Sequence, residues 1–219
     1  EVTLNSTGIG DEGLEILAPV LAKLSSLQLE SCGLTSRGVE SLCTSLSSSA
    51  SGALIELSLF ANDIGQSGAR AIASMLSGAK ESVQLQRLNL AGCQLSDEEG
   101  TDFVAPLLGH VHLRCLNLAA NRVGDGTALK ICECLASGAS LDELDMSATA
   151  VTDTAAERFG ALMEDGESSL KVLSISGPSM TLEGVRYLMQ GFEECPSMRS
   201  LNVQDESHSK GDEIDAAKE

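Results

Sequence analysis

A chain of 219 residues with 33 leucines, no tryptophan and one tyrosine (Tyr187) suggests a core of many similar small layers, not one irregular interior. Its net charge is −18, and the last fifteen residues hold only six of the 32 acids against two lysines, so the acidity belongs to the body. Such a surface disfavours direct binding to nucleic acid or membrane and favours a basic protein partner.

Read from the start, Val2 and Leu4 open a strand-like segment followed by Thr7 and Ile9. Gly8-Ile9-Gly10-Asp11-Glu12-Gly13 then spells G-x-G-x-x-G between a strand and a helix, with Glu30 near the distance of a ribose-binding acid. In isolation that motif suggests a dinucleotide site. A longer pattern, L-x-x-L-x-L-x-x-(N/C)-x-L, supplies another reading. It recurs at Leu24-Leu27-Leu29-Cys32-Leu34, Leu54-Leu57-Leu59-Asn62-Ile64, Leu85-Leu88-Leu90-Cys93-Leu95, Leu113-Leu116-Leu118-Asn121-Val123 and Leu141-Leu144-Met146-Thr149-Val151. A looser copy is Leu170-Leu173-Ile175-Pro178-Met180, and a partial one closes at Met198-Leu201-Val203. Successive second leucines stand 30, 31, 28, 28, 29 and 28 residues apart. Gly10 aligns with Gly65 and Gly124, and Gly13 with Gly38 and Gly68, so these glycines punctuate a repeat.

Each copy continues at helical spacing: Gly38, Leu42 and Leu46; Gly68, Ile72 and Leu76; Gly184, Leu188 and Phe192. One unit is therefore strand, turn, amphipathic helix and return loop. Ser96-x-x-Glu99 has the form of a capping box. The extra residues of the longer units fall in the return loops, at 47–52 and 77–84, where insertions are tolerated.

Several motifs have ordinary explanations. Asn5-Ser6-Thr7 is a glycosylation sequon of a length that chance supplies. His110-x-His112-x-x-Cys115 has metal-ligand chemistry but no fourth ligand, so neither a metal nor another cofactor is expected. Cys132 and Cys134, two apart on a helix, point to different faces. Cys32 and Cys93 should be buried and inert; Cys115, if exposed, is the best candidate for a reactive thiol, against the commoner role of a spectator. Seven cysteines without dense spacing imply free thiols in an intracellular compartment, cytoplasmic or nuclear. Three histidines and no nucleophile elbow leave little for catalysis, so no enzyme is expected. Asp97-Glu98-Glu99 and Glu193-Glu194 read as solvated residues at helix ends.

The chain opens with Glu1 directly on strand-like residues, so native sequence is expected upstream. Glu206 and His208 stand where a turn residue and a core leucine would stand, so the repeats should end near Asp205. The expected organisation is a repeat domain over 1–204 and an acidic, disordered tail over 205–219.

These residues resemble the ribonuclease-inhibitor type of leucine-rich repeat, whose units of about 28 to 29 residues carry a full helix and alternate Cys with Asn at one turn position. Here that position reads Thr7, Cys32, Asn62, Cys93, Asn121, Thr149 and Pro178. The resemblance covers residues 1 to about 204 and implies an α/β solenoid, a horseshoe of about seven repeats with the parallel sheet concave and the helices convex. The physical reason agrees: parallel strands need crossovers, and stacking like crossovers buries one continuous core. The resemblance also implies a non-enzymatic protein–protein interaction module within a larger scaffold or sensor. Such repeats occur in ribonuclease inhibitors, NOD-like receptors and Tonsoku-like genome-maintenance proteins. They also occur in Ran GTPase-activating proteins, the rival reading, where an acidic segment follows the repeats. Against the rival, this tail is short and broken by Lys210 and Lys218, and no basic–Asn cluster stands on the loops that would meet phosphates.

Strand residues alternating away from the core form one array on the concave face. Its expected partner-binding members are Glu30, Glu56, Phe60, Arg87, Asn89, Asn117, Glu143 and Asp145, accompanied by Ser58, Ala91, Cys115 and Ser176 among others. Extended to Glu1, the array has five acids against one base, and Phe60 is its only aromatic. Phe60 is the expected apolar anchor, and Glu56, Glu143 and Asp145 are the expected charged contributors. The competing surface is the convex face, where Asp97, Glu98, Asp102 and Glu133 are also negative.

Overall fold

The computed structural model describes residues 1–21, 23–48, 54–78, 83–97, 101–166 and 168–203, with the backbone of 204 and 213–217. Glu99 of the expected capping box and much of the two longer return loops lie outside the described residues. Strands β1 (Val2–Thr3), β2 (Ser26–Gln28), β3 (Glu56–Ser58), β4 (Arg87–Asn89), β5 (Cys115–Asn117), β6 (Glu143–Met146), β7 (Val172–Ile175) and β8 (Ser200–Gln204) form one parallel sheet in chain order. Between them run α1 (Gly10–Leu21), α2 (Ser36–Ser48), α3 (Gly65–Gly78), α4 (Val104–Leu108), α5 (Asp125–Ala136), α6 (Asp153–Glu164) and α7 (Leu182–Glu194). This is the leucine-rich repeat solenoid.

The register follows the sequence period. Val2, Leu27, Leu57, Leu88, Leu116, Leu144, Leu173 and Leu201 pair in one transverse row. The leucines of that row are at most 2% exposed, and the helix positions Leu42, Ile72, Ile131, Phe159 and Leu188 close the core from the other side. Gly13 and Gly68 show why the period includes a glycine. A side chain at either would run into the isoleucine four residues earlier, Ile9 or Ile64.

The turn position binds one repeat to the next. Asn62 Oδ1 accepts from the Cys32 and Leu34 N–H groups, while its Nδ2 donates to the Leu29 and Leu59 carbonyls. Asn121 does the same for Cys93, Leu95, Leu90 and Leu118. The cysteines face the other junctions: Cys32 Sγ donates to the Leu4 carbonyl at 3.0 Å and Cys93 Sγ to the Leu59 carbonyl at 3.2 Å. Buried backbone groups must find partners, and the alternation supplies them from both sides of each repeat.

A second ladder joins the helix starts. Asp11, Asp125 and Asp153 each accept the backbone N–H and the hydroxyl of a threonine in the next repeat, Thr35, Thr152 and Thr181 respectively. Thr152 and Thr181 in turn cap α6 and α7. Asp97, expected to be a solvated residue, is a correction: it accepts from the N–H groups of Gly126 and Thr127 and from the Thr127 hydroxyl. Carboxylates at helix N-termini also meet the positive end of the helix dipole.

Two departures from the expected unit stand out. Helix α4 has five residues against the twelve to fourteen of the others. In the segment expected to be a free tail, the backbone of β9 (Glu213–Ala217) runs antiparallel to β8 and pairs Ala217 with Ser200 through Glu213 with Gln204. Among the described residues no helix is long and apolar enough to cross a membrane.

Candidate protein-binding face

The concave sheet face carries a cleft of about 320 Å³ lined by Glu30, Glu56, Arg87, Asn89, Cys115, Asn117, Glu143 and Asp145, among others. Seven of the eight expected partner-binding residues therefore converge on it. Phe60 stands apart. Strand β3 ends at Ser58, so Phe60 lies in the following turn, at the rim, 40% exposed with its ring edge over Gly92. Its carbonyl is held by the Ser31 and Asn62 N–H groups, so the turn that places the ring is itself fixed.

The parallel register sets the charges out in a row: Glu56, Arg87, Cys115 and Glu143 are successive partners across β3, β4, β5 and β6. Arg87 reaches both acids, Nε to Glu56 at 4.0 Å and Nη2 to Glu143 at 3.7 Å. Glu30 accepts from two neutral donors, Asn5 Nδ2 at 3.0 Å and Ser58 Oγ at 2.8 Å, so these contacts bring it no counter-ion. The same bond occupies Asn5, the acceptor of the sequon.

In the adjacent row, Asn89, Asn117 and Asp145 do one repeated job. Each side-chain oxygen accepts the N–H two residues on, from Ala91, Ala119 and Ser147, and so shapes the turn after its strand. Three residues of the expected array are almost fully buried, although Ser58 still lines the cleft. Ser58, Ala91 and Ser176 are 5%, 4% and 0% exposed. The hydroxyls of Ser58 and Ser176 are committed, Ser58 to Glu30 and Asn89, Ser176 to the Ala148 N–H.

Cys115 lines the cleft, and its surroundings suit the spectator role better than the reactive one. Burial, with a contribution from the Glu143 carboxylate, pushes its pKa up to about 11, and Arg87 opposes this only in part. The thiol is therefore protonated and a weak nucleophile. Cys43 and Cys132 are likewise pushed up to about 12, chiefly by burial, and none of the seven cysteines forms a disulfide in the described structure.

His110 and His112 meet edge to face with centroids 5.5 Å apart, and His110 lines a separate cleft with Cys134, away from Cys115. Burial, then the neighbouring His112, lowers the His110 pKa below its ordinary value, against a smaller opposing pull from the Leu76 and Val83 backbone. No three His, Cys, Asp or Glu side chains form a metal-holding group among the described residues. On the convex side, Glu133 pairs with Lys130 at 2.9 Å.

The Asp–Thr ladder and the reach of Arg87 escape a reading of single motifs. The first has a sequence signal, an Asp and a Thr recurring at equivalent places one repeat apart. The second has none beyond a lone base in an acidic array.

A parallel sheet with one leucine row, buried turn amides and outward helices defines a leucine-rich repeat protein, and the Leucine Rich repeat family matches residues 20–43, 54–73, 84–98 and 109–132. The chain is of the ribonuclease-inhibitor type. It is 33% identical over 200 residues to a ribonuclease inhibitor of Sus scrofa, covering 87% of this chain and 42% of that relative. The ribonuclease inhibitor of Mus musculus is 30% identical over 200 residues, with coverages of 89% and 42%. NACHT, LRR and PYD domains-containing protein 5 of Mus musculus is 29% identical over 189 residues, with coverages of 85% and 16%. The chain thus spans less than half the length of these relatives.

Proposed function

We propose that the chain is a non-enzymatic protein-binding module of a larger intracellular scaffold or sensor, and that its concave face takes a basic protein surface. The observation that carries this reading is the cleft itself, where Glu30, Glu56, Glu143 and Asp145 surround a single guanidinium on a rigid sheet. Rigidity lowers the ordering cost of binding, and the net negative potential raises the association rate more than the affinity. Exposed carboxylates each contribute roughly 0–1 kcal/mol. Phe60, already more than half buried, adds about 1 kcal/mol when a partner covers the rest.

Two relatives are named ribonuclease inhibitors, so a basic ribonuclease is the first partner to offer, followed by crosslinking capture with the full-length parent. With a bound partner, Glu143→Lys with Asp145→Lys should slow association and flatten its salt dependence, whereas Phe60→Ala should speed dissociation. Loss of binding on charge reversal at Asp102 and Glu133, with those variants intact, would move the site to the convex face. Single-turnover GTP hydrolysis on Ran should not accelerate when the protein is added; acceleration would favour the activator reading. Thiol titration in denaturant without reductant should find all seven cysteines free, and five or fewer would overturn the intracellular assignment.

A further inference from the structure

We propose that Arg87 is a specificity-determining residue, an internal counter-cation that makes the concave cleft select partners with two separated cationic groups over partners with one compact cluster. The inference rests on the concave-face reading above. The backbones of Glu56 and Glu143 lie in one transverse row, three strands apart, which is about 14 Å at the usual strand spacing, and their carboxylates converge on one guanidinium. Arg87 occupies the ground between them.

Its two contacts, at 4.0 and 3.7 Å, are longer than the roughly 2.7–3.2 Å of an N–H···O hydrogen bond. All three side chains are about half exposed, at 54% for Arg87, 41% for Glu56 and 47% for Glu143. Such loose, solvated pairs contribute little to folding, so the guanidinium is better understood by the charge it places in the cleft. It presents a like charge to any cation arriving at the centre.

The flanks differ. On one side Glu30 is held by the neutral groups Asn5 and Ser58, and on the other Asp145 is bonded by the Ser147 N–H. Uncompensated negative charge therefore sits to either side of a positive centre. Cys115, the remaining member of the row, is protonated and adds no charge. A partner with two cations set apart pairs with both flanks, while a compact cluster meets Arg87.

Two peptides of equal charge test this: one with lysines at the ends of a five-proline segment, about 19 Å apart in polyproline II geometry to match the four strand spacings between β2 and β6, and one with adjacent lysines flanked by prolines. NMR titration at low salt should show the wild type preferring the spaced peptide about fivefold. Arg87→Gln should bind the clustered peptide about tenfold more tightly than wild type and lose the preference, while Arg87→Lys, which keeps the charge, should retain it. Thermal melting should be unchanged in both, since the side chain is exposed. If Arg87→Gln leaves the clustered peptide unchanged or weakens it, while Glu143→Lys with Asp145→Lys still removes binding, the role of Arg87 is refuted and the concave site stands. If neither peptide binds wild type or Arg87→Gln, this inference and the charge-based reading beneath it fall together.

Discussion

The repeats from Leu24 to Val123 and those from Leu141 to Val203 align their leucines in the same row but hold their junctions by different means. In the first group, Asn62 and Asn121 each bond five backbone groups across two repeats, and strands β2 to β5 are three residues long. In the second, Thr149 and Pro178 stand at the turn position. Thr149 donates to the Met146 carbonyl, and the Ser176 carbonyl takes the Thr149 N–H, the counterpart of the Cys32 and Cys93 N–H groups held by asparagine. Strands β6 to β8 lengthen to four and five residues and add the pairs Met146–Ile175 and Ile175–Val203. Helices α6 and α7 close on each other through Gly160 and Gly191, where a methyl group on Gly191 would press into the Gly160 carbonyl. A buried turn thus needs its amides paired, but no particular residue has to pair them. Where the asparagine is lost, stacking shifts to longer strands and tighter helices.

The sharpest way to break this comparison is at the two turn residues. Asn121→Leu should strand two N–H groups and two carbonyls in the core and cost about 3–5 kcal/mol in urea unfolding. Thr149→Val removes one donated bond and should cost about 1 kcal/mol. Equal losses would mean that the asparagine ladder is no more important than its substitute.

The next largest effect belongs to the helix layer. Gly191→Ala meets backbone, which cannot yield, and should cost about 1–3 kcal/mol. Gly13→Ala meets the Ile9 side chain, which can rotate, and should cost less. Comparable thermal melting of both variants would deny the second group its tighter helix contact.

The repeat register was fully legible, because the spacing of second leucines fixes which strand residues pair. The turn ladder was legible in kind, since Cys and Asn alternate where a buried backbone needs partners. The concave site was legible as a set of positions, because alternation along each L-x-L strand points them outward. What the pattern could not carry were quantities set by neighbouring repeats. Phe60 continues the alternation but falls beyond the end of β3, so it joins the rim. Ser58 and Ser176 alternate outward, yet both are almost fully buried with hydroxyls bonded to neighbouring repeats. Asp97 looks like any acid before a helix until the next repeat supplies Thr127. Arg87 reads as one base among acids, and its reach to Glu143 depends on side-chain length across three strands. Periodicity specifies direction and register; coverage and pairing depend on the neighbours.

The smallest expected effects are in pH, and they separate regions of the molecule by the groups that titrate. His110, between α4 and β5, has a folded pKa below its ordinary 6.5, chiefly through burial. The unfolded chain therefore takes up this proton first, and stability contributed by the neutral ring is lost as pH falls from about 6.5 through the folded value. Asp11 and Asp153 also lie below their ordinary 3.8: desolvation pushes each up, but hydrogen bonds from Thr35 or Thr181 and the backbone of Gly38 or Gly184 outweigh it. Their contribution is present above about pH 4 and lost as pH falls through the folded values; because both are largely solvated, each is worth less than about 1 kcal/mol. Hydrogen exchange across a pH series should show the α4–β5 junction loosening below about pH 6.5, with the starts of α2 and α7 unaffected until below about pH 4. His110→Gln should remove the first step and Asp153→Asn should reduce the second at α7 alone. If α7 loosened together with the α4–β5 junction near pH 6, the junctions would be coupled across the solenoid, and the division into two differently held groups would fail.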